Sequence, residues 1–214
     1  MLVYDSRVDI NLVDKKERTP FSWAAAECDG AVTERLLKCP GINVSLPDIE
    51  KRTPLSWAAE TGHTAVIKQL KDRKELDISH SHRDHNGRNA IAWAAGKGRQ
   101  ATLKLLIKYK LPGLDEADDS GWTPICWAIE EPTGNTLATL IETGMVNLNH
   151  RDHSGRNVVS LTVSYGNEAT LQLLLAAEGI DAQSRDNQGQ TPLDLAKSLG
   201  KPGMIRLLEE FLHS

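Results

Sequence analysis

The 214-residue chain is 40% hydrophobic and 25% charged, and 29 acidic against 25 basic side chains leave a formal charge of −4. That balance fits a globular chain with a sizeable core, and it lacks the net basic footprint of non-specific nucleic-acid binding. There is no 18-residue apolar run to make a membrane helix, the N-terminus MLVYDSRVDI has no signal-peptide character, and the three cysteines (Cys28, Cys39, Cys126) form no C-x-x-C pair, so an intracellular, cytoplasmic setting is expected.

Taken in chain order, residues 1–13 read as the tail of a truncated repeat, because Val8-Asp9-Ile10-Asn11 aligns with Ile42-Asn43-Val44-Ser45. This suggests a piece of a longer array, with a degenerate first cap as the alternative. Thr19-Pro20 then recurs at Thr53-Pro54, Thr123-Pro124 and Thr191-Pro192, with weaker copies at Asn89-Ala90 and Asn157-Val158. Five residues before each start stands an aspartate: Asp14, Asp48, Asp84, Asp118, Asp152 and Asp186. Six matches in one register define a repeat protein.

The units open with turn chemistry, Asp-x-x-Gly, best seen in Asp84-His85-Asn86-Gly87, Asp118-Asp119-Ser120-Gly121 and Asp152-His153-Ser154-Gly155. Threonine is then the expected N-cap and proline the first helical residue. A short alanine-rich helix (Ser56-Trp57-Ala58-Ala59, Ala92-Trp93-Ala94-Ala95) ends near Gly62, Gly98, Gly166 or Gly200. A second helix follows with apolar residues at helical spacing, such as Val66, Ile67 and Leu70, or Leu171, Leu174 and Leu175. A short extended piece (Ile42-Asn43-Val44, Leu76-Asp77-Ile78, Val146-Asn147-Leu148) leads to the next turn. No unit covers its own apolar face, so stability must come from stacking on neighbours. Residues 191–214 end in a helix with a charged outer face, as a terminal cap requires.

The run from Asp48 to His63, with Arg-Thr-Pro-Leu-Ser-Trp-Ala-Ala and a closing Gly-His, resembles the ankyrin repeat. The Ser-Trp-Ala-Ala variant is similar to long arrays common in filamentous fungi, where they often form the sensor end of multidomain proteins. The resemblance implies an all-α ankyrin-like solenoid, a single domain over 1–214, with six helix pairs starting near 19, 53, 89, 123, 157 and 191 and with projecting β-hairpin loops. It further implies that a partner protein meets the hairpin tips and the inner face of the first helices. Carried onto this sequence, those positions select Arg52, Glu60, Arg88, Lys97, Asp119, Trp122, Glu130, Glu131, His153 and Tyr165 as partner-binding candidates. The arginines preceding each start can instead be read as shaping the hairpin. Trp122 breaks their row and is the strongest contact candidate; packing on the neighbouring hairpin is the other reading.

Trp23, Trp57, Trp93 and Trp127 share one repeat position, held by Leu161 and Leu195 in the last two units, and are expected to be core rather than an aromatic wall for a ligand. Two extra residues lengthen the hairpin that carries His80, His82 and His85. Those histidines are weak candidates for a zinc site, and better ones for a pH-sensitive surface. No catalytic signature is present: there is no G-x-S-x-G, phosphate-binding loop or H-E-x-x-H, and Cys126 reads as an inert thiol.

The function expected is protein–protein recognition by a scaffold or sensor segment, without catalysis or cofactor, monomeric as an isolated array. The groove is expected to be basic at its N-terminal end (Lys15, Lys16, Arg18, Arg52) and acidic in its middle (Glu60, Glu116, Asp119, Glu130, Glu131). A small-molecule binder or enzyme with its site in the groove is the alternative.

Overall fold

In a computed structural model, residues 9–27, 30–73 and 82–213 are described. They form helices in pairs: α1 Pro20–Glu27 and α2 Gly30–Leu37, α3 Pro54–Thr61 and α4 Thr64–Asp72, α5 Ala90–Gly96 and α6 Gln100–Lys108, α7 Pro124–Ala128 and α8 Asn135–Glu142, α9 Val158–Tyr165 and α10 Glu168–Leu175, α11 Pro192–Ser198 and α12 Pro202–Leu212. Each pair begins at a start position read from the sequence. The chain divides into two compact units, Met1–Ala94 with Ala101–Gly113, and Ala95–Gln100 with Leu114–Ser214.

Within each unit first helices pack on first helices and second on second: α1 on α3 and α2 on α4, then α7 on α9 on α11 and α8 on α10 on α12. The alanines make this possible. Ala25, Ala58, Ala59, Ala94, Ala95 and Ala128 are fully buried, and a larger side chain there would hold neighbouring helices apart. The periodic leucines and isoleucines of the second helices fill the space between layers: Val66, Ile67 and Leu70 in one unit, Leu137, Leu140, Leu171 and Leu174 in the other. Burying such side chains contributes about 1.5–3 kcal/mol each.

The helix starts are capped as the sequence predicts, with one exception. The hydroxyls of Thr19, Thr53 and Thr191 accept N–H bonds from Ser22, Ser56 and Asp194. At Thr123 the hydroxyl faces the Cys126 sulfur instead. The two weaker copies are full caps: Asn89 accepts from Ala92 N–H at 2.9 Å and Asn157 from Ser160 N–H at 3.1 Å. Their side-chain amides also donate to Gly113 O and Asp181 O in the loops that follow their own second helices. Threonine cannot make that second bond.

No strand occurs among the described residues, in keeping with an all-helical solenoid. Of the extended pieces, Leu76-Asp77-Ile78 lies outside those residues. The others are side-chain turns: Asn43 and Asn147 each accept a backbone N–H two residues on, at 3.0 Å. Such local bonds satisfy the backbone without a ladder. Gly166 does not stop α9 by a left-handed turn, its φ and ψ being −87° and −165°. Its role is close approach: a Cβ there would lie 2.8 Å from Thr162 Cγ2 and 2.9 Å from Thr170 Oγ1.

Successive repeats are tied at the ends of their first helices, where carbonyls lack intrahelical donors. His63 Nδ1 reaches Ala25 O at 2.9 Å, Thr136 Oγ1 donates to Ala95 O at 3.0 Å, and Lys201 Nζ donates to Val163 O at 2.7 Å.

Candidate protein-binding face

The hairpins come first, because they position everything else. In each, the aspartate N–H donates to the carbonyl four residues on, at 2.9–3.0 Å (Arg18, Arg52, Arg88, Trp122, Arg156, Gln190). One carboxylate oxygen accepts the N–H groups of the second and fourth following residues, such as Glu50 and Arg52 from Asp48. Tips are linked within each unit: Ile49 N–H to Lys16 O and His85 N–H to Glu50 O in the first, His153 N–H to Ser120 O and Asn187 N–H to Ser154 O in the second. The backbone donors hold the Asp14 carboxyl below its ordinary range, that of Arg18 contributing most.

The other carboxylate oxygen of four of these aspartates takes an indole. Trp23 donates to Asp14, Trp57 to Asp48, Trp93 to Asp84 and Trp127 to Asp118, at 2.9–3.1 Å. The expectation that the tryptophans are core holds for Trp93, which is 8% exposed, but Trp23 is 39% exposed and Trp57 and Trp127 are half-buried. Arginines cover the rings. Arg18 lies 3.3 Å from the Trp23 centroid and 5.6 Å from that of Trp57; Arg52 lies 3.6 Å from Trp57 and 4.0 Å from Trp93; Arg88 lies 3.7 Å from Trp93. Each such contact is worth about 0.5–2 kcal/mol, more as water is excluded. The first unit thus carries an alternating ladder of rings and guanidinium groups.

Arg52 is therefore interior. It is 8% exposed, clasped between two rings and paired with Glu60 at 2.5 Å. Its charge and that of Arg18 are taken up by the ladder, leaving exposed Lys15 and Lys16 as the basic end of this face. Arg88 pairs with Asp84 at 3.2 Å.

In the second unit the arginine position holds Trp122, whose ring meets Trp127 at 4.9 Å and 57° and Tyr165 at 5.6 Å and 59°. Tilted pairs of this kind suit the ring quadrupoles. Trp122 thus packs on helix residues rather than on a neighbouring hairpin, and it is half-buried beside a Tyr165 that is 53% exposed. Lys97, Asp119, Glu130 and His153 are exposed. Glu131 is a local cap, its carboxylate accepting Thr133 N–H and hydroxyl and Asn135 N–H at 2.8–3.2 Å.

The last repeat departs furthest. Gln190 and Leu195 stand where an arginine and a tryptophan stand in repeats one to three, and beside them opens a pocket of about 410 Å³, lined also by His153, Arg156, Asp186 and Gln188. In the sequence, only those two smaller side chains mark this pocket.

His80 lies outside the described residues. Among these residues no group of three His, Cys, Asp or Glu side chains could hold a metal. His85 donates its backbone N–H to Glu50, and His82 lines a small recess with Thr53, Asn89 and Pro112. Burial pushes the Cys126 thiol up to about 11, so it is protonated and a poor nucleophile near neutrality.

An ankyrin-repeat family model of three copies matches residues 1–82 and 74–152; the chain belongs to the ankyrin-repeat family. No curated protein sequence matches it. Among solved structures it is similar to the ankyrin repeat domain of Bcl-3, a member of the IκB family, at 23% identity and TM-score 0.76 over 94% of this chain and 86% of that one. It is similar at 23% and 0.77 to a chain in the complex of the predatory endopeptidase Bd0816 from Bdellovibrio bacteriovorus with immunity protein Bd3460, over 93% and 99%. The human ASB11 ankyrin repeat domain matches at 21% and 0.79, over 95% and 87%. Ankyrin repeat domains are protein–protein interaction modules, and no helix of the described residues is long and apolar enough to cross a membrane.

Proposed function

We propose that this chain is the recognition segment of a scaffold or sensor protein, one repeat domain that binds another protein through the first-helix faces and hairpin tips of its units and does no catalysis of its own. The observation that carries this is the Trp122–Tyr165 pair. Two rings in contact, one of them 53% exposed, are held by a hydrogen-bonded hairpin at Trp122 and by the end of α9 at Tyr165, and rigid aromatic anchors of this kind dominate interface energies. Exposed Asp119 and Glu130 belong to the same repeat as Trp122, which favours a partner segment that brings positive charge.

Two further considerations support the reading. One of the similar structures is a complex between an endopeptidase and an immunity protein. The Ser-Trp-Ala-Ala signature resembles fungal arrays that serve as sensor ends of larger proteins. We place the protein inside the cell, as a monomer in isolation.

The test is affinity capture from native extract with the wild-type chain and with Trp122→Ala and Glu130→Arg variants, each checked for folding by circular dichroism. A protein held by the wild type should be lost with folded Trp122→Ala, and should bind Glu130→Arg with a slower association rate and a changed salt dependence. Equal capture by the wild type and both variants would remove this face from the interface.

A further inference from the structure

The polar pocket of the last repeat has the shape of something missing. In repeats one to four the hairpin aspartate gives one carboxylate oxygen to backbone N–H groups and the other to a tryptophan of the same repeat. In the last repeat Asp186 keeps the first half of this device, accepting Gln188 N–H at 2.8 Å and Gln190 N–H at 2.9 Å through Oδ1. Its Oδ2 accepts no hydrogen bond from the described residues, because Leu195 occupies the tryptophan position. The guanidinium side is incomplete in the same way. Arg18 and Arg52 each lie against two rings, one from their own repeat and one from the next. For Arg156 the corresponding residues are Leu161 and Leu195. It is paired with Asp152 at 2.8 Å and has one ring, Tyr165, which hydrogen-bonds it and whose centroid lies 5.7 Å away, where Arg18 and Arg52 each have two.

Arg156, Asp186 and Leu195 all line the pocket of about 410 Å³, a volume within the range of about 300–1,000 Å³ typical of small-ligand sites. We infer that this pocket receives a tryptophan side chain from the partner protein, which completes the ladder in trans. The indole N–H donates to Asp186 Oδ2, the ring lies against the Arg156 guanidinium, and its apolar edge meets Leu195. A carboxylate that wants a donor, a guanidinium that wants a π-face and a leucine floor together select an indole over an aliphatic or a phenyl group, because only the indole presents both a broad face and an N–H.

The inference rests on the partner-binding reading above, and its test is separate from that of the reading. N-acetyl-tryptophanamide is titrated into the ¹⁵N-labelled full chain, with N-acetyl-leucinamide as control. Saturable shifts are expected at the amides of His153, Gln188 and Gln190, with a Kd of about 1 mM for so small a probe, and none from the leucine compound. Leu195→Trp fills the pocket with the chain's own ring and should abolish the shifts without lowering Tm. Asp186→Asn keeps an oxygen for the backbone N–H groups, puts an amide donor in place of Oδ2, and should weaken binding roughly tenfold. The inference is overturned if no saturable shift occurs at these amides, if the shifts survive Leu195→Trp, or if Asp186→Asn binds as tightly as the wild type. Equal capture of a partner by wild type and Leu195→Trp also overturns it, while leaving the wider reading intact.

Discussion

The second repeat and the sixth start from the same hairpin and finish it differently. In the second, Asp48 is 5% exposed and spends both oxygens, on two backbone N–H groups and on the Trp57 indole, while Arg52 is clasped between rings and bound to Glu60. In the sixth, Asp186 supports the backbone alone, Gln190 replaces the arginine and Leu195 the tryptophan. The same backbone turn is thus compatible with a closed ladder and with an open recess. Side chains at two positions per repeat decide which surface is spent on stability and which is left for binding.

The largest expected effect separates these two aspartates. Asp48→Ala removes three hydrogen bonds at a buried site and should cost about 3–4 kcal/mol, whereas Asp186→Ala, with two bonds at a partly exposed site, should cost about 1–2 kcal/mol. Chemical denaturation of both variants reads the difference, and equal losses would mean that the indole bond adds nothing to the hairpin. Trp57→Leu imitates the sixth repeat inside the second and should lower stability by about 2–3 kcal/mol, through lost ring burial, the lost N–H bond to Asp48 and uncovering of Arg52. The reverse substitution, Leu195→Trp, should leave stability unchanged or raise it by about 1 kcal/mol; a clear fall in Tm would show that the recess cannot take a ring.

Smaller effects come from the turn itself. Its fourth position is left-handed in every described hairpin, and glycine occupies it in the last four repeats, as at Gly121 with φ +80°. Glu17 and Lys51 hold it with φ of 59° and 57°, so Lys51→Gly should stabilise the second repeat by up to about 1 kcal/mol, readable as a raised denaturation midpoint. Gly121→Ala should do the opposite, because its Cβ would lie 2.8 Å from His153 N and 3.0 Å from Asp152 Cα. The pH dependence is the smallest effect. Asp14 has a depressed folded-state pKa, so its contribution is present above the unfolded carboxylate value and is lost as pH falls through the folded value. Asp14→Asn should flatten the acid limb of the stability curve, and an unchanged limb would assign that limb to other carboxylates.

The period, the six starts and the apolar faces were legible in the sequence because each rests on local chemistry. Turn aspartates, capping threonines and leucines at helical spacing act within a few residues of themselves. Asn89 and Asn157 looked like weakened copies and are full caps, since an amide can accept from the helix and donate to a loop 24 residues away. The Asp–Trp pairing was also present as a constant spacing, Asp14 to Trp23 and Asp48 to Trp57, though the leucines at the same position in the last two repeats marked those rings as core. Other features depend on which residues of different repeats meet. Arg52, at a position expected to face a partner, is enclosed by Trp57 and Trp93; Glu131, at another such position, caps the start of α8. The pocket at Asp186 exists because two side chains are smaller than their counterparts while the backbone around them is unchanged. Sequence determined the repeating backbone, whose interactions are short-range and identical in kind from unit to unit. Tertiary structure decided which polar and aromatic groups find partners across the stack, because those pairings depend on the contents of the neighbouring repeat.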